Sequence, residues 1–182
     1  MAASPAAISG QYAPLTLAVV GGNVSGAFSD GRGENGPGGA PQFTCAFLFR
    51  GTLEGDRATI TSWTPGDGKR IAGELVFKGD AVTLQLQEDQ PGCAMTSGDT
   101  VQMPYEVSRT MDGAGWLGVA LVSARRASIR VAPGAPAPRK PYLVAFDPVV
   151  ILERAGEWTR VAYLGGATPV SGWLRATELV AP

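Results

Sequence analysis

The sequence predicts an all-β protein in two parts, an antiparallel barrel or sandwich over residues 8–111 followed by a smaller β unit over 116–182. No segment repeats its apolar residues with the helical period, whereas short alternating runs are separated by turn residues at intervals of about 8–12 residues. Many such turns explain the 25 Gly and 14 Pro, because Val, Ile and Leu are spread along the whole chain.

Charge divides the chain near the same place. Residues 1–114 carry 7 Lys/Arg against 12 Asp/Glu, and the residues from 115 onward carry 8 against 4. This asymmetry supports a boundary at Asp112–Gly115, and it can attract the two parts to each other or offer the basic part to an anionic partner. The basic excess is too small and too scattered to indicate nucleic-acid binding. No apolar run has the length of a membrane span.

The first part reads as a succession of strands joined by turns. The clearest is Phe43–Phe49, in which alternate residues from Phe43 onward share one face and carry the first cysteine inward. In Ala81–Gln87, alternation places Val82, Leu84 and Leu86 on the buried face. Further strands are expected at Leu15–Val20, Val24–Phe28, Arg57–Trp63, Ile71–Phe77 and around Val101–Val107. The segment Gly10–Tyr12 resembles the opening of lipocalin-like barrels.

The residue types exclude the commonest catalytic and metal-binding arrangements. The chain has no His, so neither a Ser-His-Asp nor a Cys-His arrangement exists in it, and two cysteines alone fall short of the roughly four ligands of a zinc site. Gly31–Gly36 matches a phosphate-loop pattern, but the prolines that follow cannot begin a helix, which indicates a hairpin loop. The acidic pairs Glu54/Asp56 and Glu88/Asp89 lie in turns, which indicates solvated carboxylates and not a catalytic pair. We predict a protein that is not an enzyme and binds neither metal nor cofactor.

The last third of the chain is similar to a known family in the order and spacing of three segments. These are Ala127–Pro133, Glu157–Val161 and Ser171–Leu174. They resemble the bacterial SH3-like (SH3b) module, which implies a small SH3-like β-barrel of the kind found mostly in cell-wall-associated proteins. The chain departs from the family at Leu174, where Val is frequent, and at Arg139–Val144, which is looser than usual.

The same resemblance implies where a ligand would bind. In SH3-like modules the long loop after the first strand helps to form the ligand surface, and here that loop is the Pro-rich stretch 132–138. The implied ligand-binding residues are Arg139 and Tyr142 beside the loop, together with Trp158 and Tyr163, whose positions either fill the core or line a peptide groove. An arginine there can pair in a bidentate manner with a carboxylate.

The two cysteines, Cys45 and Cys93, can form a disulfide or remain two buried thiols, and their positions in the sequence leave both possibilities open. The wall-associated resemblance favours the disulfide. So does the Ala/Ser/Pro-rich start of the chain, which lacks the regions of an intact signal peptide and looks like a mature N-terminus. We therefore expect a periplasmic or secreted protein.

These observations predict a non-enzymatic binding protein of the bacterial periplasm or surface, whose SH3-like module recognises cell-wall peptide or a protein partner. One alternative is a periplasmic inhibitor or immunity-type protein that blocks a cell-wall hydrolase or toxin, with Asp30–Pro41 or Asp89–Asp99 as the inserted loop. Another is a lipocalin-like carrier of a small ligand, which requires an apolar cavity in the first barrel. The sequence does not define the oligomeric state.

Overall fold

The structure is a computed structural model that describes residues 8–33 and 41–182. It confirms the predicted all-β class, with a nine-stranded sheet, a five-stranded sheet and a two-stranded ribbon, all antiparallel. The strands of the nine-stranded sheet are β1 (Gly10–Tyr12), β2 (Leu15–Val20), β3 (Asn23–Arg32), β4 (Phe43–Glu54), β5 (Arg57–Trp63), β6 (Ile71–Lys78), β7 (Ala81–Leu86), β8 (Tyr105–Ser108) and β9 (Met111–Asp112). Residues 1–7 and 34–40 lie outside the described residues. They include the predicted mature N-terminus and parts of two predicted loops, Gly31–Gly36 and Asp30–Pro41.

The nine-stranded sheet is a meander whose two ends meet. Each strand from β1 to β8 pairs with its neighbour in sequence, and β9 pairs with β1. Between β8 and β9, the Arg109 N–H donates to the Asp80 carbonyl oxygen (2.6 Å) and the Thr110 N–H to the Gln11 carbonyl oxygen (2.7 Å). The chain from β8 to β9 therefore joins the last hairpin to the first strand, and the sheet curls around an interior.

Large side chains fill this interior. Phe28 and Phe47 stack with their ring centroids 5.0 Å apart. The curvature requires glycine at Gly26 in β3, because a Cβ there would lie 2.2 Å from the Phe49 ring. The buried set also contains Tyr12, Leu15, Leu17, Ile60, Ile71, Leu75, Phe77, Val82, Leu84 and Leu86. An interior occupied in this way argues against the lipocalin-like carrier, which needs an apolar cavity there.

Alternation predicted the core face of β4 and of β7, with one exception. Val82, Leu84 and Leu86 are buried as expected. Phe43 is exposed, so its predicted place on the core face is wrong: it is the first residue of β4, paired with Arg32 at the open end of the sheet.

One predicted strand is shorter than expected. The strand around Val101–Val107 begins only at Tyr105. The Asp99 carboxylate accepts the N–H groups of Val101 (2.8 Å) and Gln102 (2.7 Å), and this local turn takes the place of strand pairing.

The five-stranded sheet is built from the basic part of the chain. Its strands are β10 (Gly118–Val122), β13 (Pro148–Ala155), β14 (Trp158–Tyr163), β15 (Val170–Arg175) and β16 (Leu179–Val180), and the ribbon is formed by β11 (Ala127–Ser128) and β12 (Tyr142–Leu143). The order of the strands in the sheet is β15-β14-β13-β10-β16. Short 3₁₀ turns lie at Cys93–Met95 and Ala176–Glu178. The sheet and ribbon share a core of Ala120, Val122, Ala127, Ile129, Leu143, Val149, Ile151, Val161 and Leu174.

The two sheets pack against each other through a third buried cluster. Leu48 and Trp63 point outward from the nine-stranded sheet and meet Trp116, Leu121 and Val150. Because this cluster is buried, the sheets share part of their stability, and the division into domains 8–111 and 116–182 stays a prediction.

The predicted disulfide is confirmed. Cys45 in β4 is bonded to Cys93, with 4.7 Å between their Cα atoms, and both residues are fully buried. The bridge anchors the stretch after β7 to the core strand. Gln90 adds a second anchor, since its side-chain amide donates to the Ser62 hydroxyl (2.9 Å) and accepts from the Thr64 hydroxyl (3.0 Å).

A disulfide is typical of proteins in oxidising compartments. Within the described residues, no helix is long and apolar enough to cross a bilayer.

Candidate functional site

The four residues implied in ligand binding occupy three places. Arg139 lies on the loop that leads into β12 and Tyr142 is the first residue of that strand, whereas Trp158 and Tyr163 lie at opposite ends of β14. We call residues 123–146 the basic loop, because they contain five Lys/Arg and no Asp/Glu.

Arg126 organises the basic loop. Its guanidinium carbon lies 4.0 Å from the centroid of the Tyr142 ring, and its Nη2 donates to the Arg139 carbonyl oxygen at 2.6 Å. The ribbon holds this arrangement in register, because Ser128 pairs with Tyr142. Arg126 therefore links the backbone of Arg139 to the ring of Tyr142. Sequence reasoning missed Arg126, although its place just before β11 opposite a tyrosine was a usable signal.

The basic loop also presents apolar side chains to solvent at alternate positions. Tyr142, Val144 and Phe146 are 40%, 44% and 45% exposed. Phe146 has φ = 72°, a backbone conformation that non-glycine residues rarely adopt. A hydrogen bond from the Phe146 N–H to the Val122 carbonyl oxygen (2.8 Å) holds it there. Backbone strain of this kind concentrates at binding surfaces, where it fixes the direction of a side chain.

Trp158 is not placed to line a groove. It is 7% exposed, and the guanidinium carbons of Arg130 and Arg175 lie 5.0 Å and 4.7 Å from its ring. Arg175 Nη1 donates to Glu157 Oε2 at 2.8 Å, and Arg130 Nη1 lies 3.8 Å from Glu178 Oε2. The covered ring stabilises the sheet through cation–π contacts. Its predicted part in ligand binding stays a prediction, to which the structure adds that the ring is buried.

Tyr163 lies in a different place, a cleft of about 440 Å³ between the two sheets. The nine-stranded sheet contributes Gln11, Thr16 and Ser29, and the five-stranded sheet contributes Tyr163 and the flanking residues Asp147 and Leu164. Asp147 precedes β13, and its Oδ2 accepts the Val144 N–H at 2.8 Å. We call this space the cleft.

Burial changes the acidity of both titratable groups in the cleft. It raises the pKa of the Asp147 carboxyl above its usual value of 3.8, and the hydrogen bond from Val144 opposes this only in part. Burial, assisted by the nearby Asp147 carboxyl, also raises the pKa of the Tyr163 phenol. Folding therefore makes ionisation of Asp147 less favourable than it is in the unfolded chain.

The substitution Asp147→Asn is expected to raise stability at neutral pH. A carboxyl whose pKa is raised on folding binds more protons in the folded state, so its ionisation lowers stability as the pH rises through that range. The amide oxygen of Asn can still accept the Val144 N–H. The gain should shrink towards zero near pH 3.5, below the usual pKa of 3.8. Thermal melts of both proteins at pH 7 and pH 3.5 measure it.

A gain of the same size at both pH values would contradict this account. The exposed Glu153, on the following strand, supplies the matched control Glu153→Gln, for which no such pH-dependent gain is expected.

Comparison of the chain with protein-family models, with curated proteins and with solved structures found no match in any of the three.

Proposed function

We propose that this protein is a non-enzymatic binding protein of the bacterial envelope, and that the basic loop recognises a carboxylate-bearing peptide of the cell wall or of a protein partner. One observation carries the proposal: exposed apolar side chains alternate along a loop that contains five Lys/Arg and no acidic residue. Of these five cations Arg130 pairs with Glu178, and the other four form no ion pair within the described residues. An apolar stripe beside such positive charge suits a ligand that is both apolar and anionic.

The exposed residues of the basic loop would contact different parts of such a peptide. Arg139 and Lys140 are exposed, and Arg139 can pair with a carboxylate through two hydrogen bonds. Tyr142, Val144 and Phe146 offer surface for the apolar parts of the peptide. Because Arg126 already stacks on Tyr142, little side-chain freedom is lost on binding.

Two further features support an envelope location. The similarity of the last third to SH3b modules implies a wall-associated role, and the disulfide between Cys45 and Cys93 suits an oxidising compartment. Cell-wall stem peptides carry free carboxylates, so they belong to the class of ligand that the loop would accept.

The double variant Arg139→Ala/Tyr142→Ala tests the proposal. Its retention on purified peptidoglycan and its affinity for soluble stem peptides are expected to fall at least about tenfold, because a charge-assisted pair and an aromatic contact are lost together. Raising the salt concentration should weaken wild-type binding as well. The measurements are a sedimentation assay and isothermal titration calorimetry.

Two exposed residues outside the loop provide matched controls. Arg160→Ala removes a positive charge from β14, and Val20→Ala removes an apolar side chain from β2. Both are expected to bind within about twofold of the wild type, the scale of an ordinary surface change. Equal retention of the double variant and the two controls would refute the basic loop as the binding face.

A second candidate, inhibition of a wall hydrolase or toxin, is favoured by the loop Asp89–Asp99. Cys93 fixes this loop to β4, and the Ser97 hydroxyl donates to Asp30 Oδ2 at 3.0 Å. Met95 lies between these two anchors and is exposed at the turn. A loop fixed at both ends in this way is preorganised to enter the active-site cleft of an enzyme. Stoichiometric capture of one enzyme from envelope extract, lost in Met95→Asp but kept in Arg139→Ala/Tyr142→Ala, would favour inhibition.

A further inference from the structure

The cleft between the two sheets is separate in its chemistry from the basic loop. Its volume of about 440 Å³ falls within the range of small-ligand pockets, roughly 300–1,000 Å³. Its lining combines the polar residues Gln11, Thr16 and Ser29 with the apolar Pro14, Pro148 and Leu164. Such a mixture suits a short apolar stem that ends in a polar group.

Asp147 gives the cleft its charge. Among the described residues that line the cleft it is the one charged side chain. Its only side-chain hydrogen bond within the described part of the chain is the one from the Val144 N–H, and no Lys or Arg there forms an ion pair with it. Burying a carboxylate without a cation costs free energy, and a bound cation would offset part of that cost.

Tyr163 lines the cleft together with Asp147. A Cβ on Gly165 would lie 2.4 Å from the Tyr163 hydroxyl oxygen, so glycine at that position leaves the phenol room in the cleft. The hydroxyl has lone pairs that can accept a hydrogen bond from the same group that pairs with Asp147. The cleft thus offers acceptors to a donor-rich cation.

From this arrangement we infer that the cleft binds a protonated primary amine on an aliphatic stem, with Asp147 as its counter-ion. The ammonium would donate to the free Asp147 oxygen and to the hydroxyl and amide oxygens around it, while the stem would lie along the prolines and Leu164. A lysine side chain of a peptide and a free alkylamine both have this chemistry. Binding would also stabilise the ionised carboxylate that burial disfavours.

Titration with two amines and their neutral counterparts tests the inference on the full chain. The probes are n-butylamine with 1-butanol, and Nα-acetyl-lysine amide with Nα-acetyl-norleucine amide, followed by two-dimensional NMR at pH 7. Each amine is expected to shift the amide signals of Tyr163, Leu164 and Gly165. Each neutral counterpart should bind at least about tenfold more weakly, since it lacks the charge-assisted hydrogen bond. Binding of butylamine alone would assign the cleft to free amines, and binding of the capped lysine would assign it to peptide side chains.

Two variants test whether the amine binds through Asp147. Asp147→Asn should reduce amine affinity at least about tenfold while the protein is no less stable than the wild type, and Glu153→Gln should bind within about twofold of the wild type. Equal amine binding by Asp147→Asn would overturn the inference. So would equal binding of an amine and its neutral counterpart by the wild type, a comparison that needs no variant to fold.

The same titration separates this inference from the proposed function. Arg139→Ala/Tyr142→Ala changes the basic loop alone, so its amine affinity should equal that of the wild type. Loss of amine binding in that variant would show that the two places act as one site and would refute a separate cleft.

Discussion

Replacing both cysteines, in Cys45→Ala/Cys93→Ala, is expected to lower the free energy of unfolding by about 4 kcal/mol. The bridge joins residues 48 positions apart, and its loss gives the unfolded chain the conformational freedom of that whole loop. Urea denaturation followed by circular dichroism measures the change. It is large beside the roughly 5–15 kcal/mol that stabilises a typical domain.

Reductant provides the control for the disulfide prediction. Dithiothreitol should shift the unfolding of the wild type to that of the double variant and should leave the variant unchanged. A variant within about 1 kcal/mol of the wild type would contradict the prediction. It would mean that the stretch after β7 is held by its other anchor, the hydrogen bonds of Gln90 to Ser62 and Thr64.

The strands were predictable because their signals are local. In β7 every second residue is aliphatic, and a sheet with one buried face requires that period of two. Pairing across tight turns such as Gly21–Asn23 then fixes the meander, since short connections join antiparallel neighbours. Phe43 shows the limit of this reasoning, because its exposure depends on where the interior ends, which the strand's own sequence does not encode.

The candidate sites were less predictable because they depend on contacts between distant residues. Trp158 is covered by Arg130 and Arg175, which approach it from separate segments of the chain. Asp147 was overlooked because an acidic residue before a proline resembles any other turn. It becomes distinctive only when the fold half-buries it in the cleft, where no described Lys or Arg pairs with it, although it is one of just four acidic residues in the basic part of the chain.

The packing between the sheets is the other place where one substitution is expected to have a large effect. Leu48 points outward from β4, yet it is 0% exposed because Trp116, Leu121 and Val150 cover it. Leu48→Ala is therefore expected to lower the free energy of unfolding by about 2–5 kcal/mol, the usual loss when a buried leucine is truncated. Urea denaturation gives the total change.

The same variant tests the predicted division into domains 8–111 and 116–182. If each part folds around its own core, weakening the shared cluster should turn one cooperative transition into two. Hydrogen exchange would assign the transitions to β6 and β14, which lie in different sheets. Thr52→Ala is the matched control, because Thr52 points outward from the same strand and is exposed, so its effect should stay within about 0.5 kcal/mol. A single transition after the full loss in Leu48→Ala would show that the two sheets fold as one unit, in which case the charge division near residue 114 marks two faces of one domain.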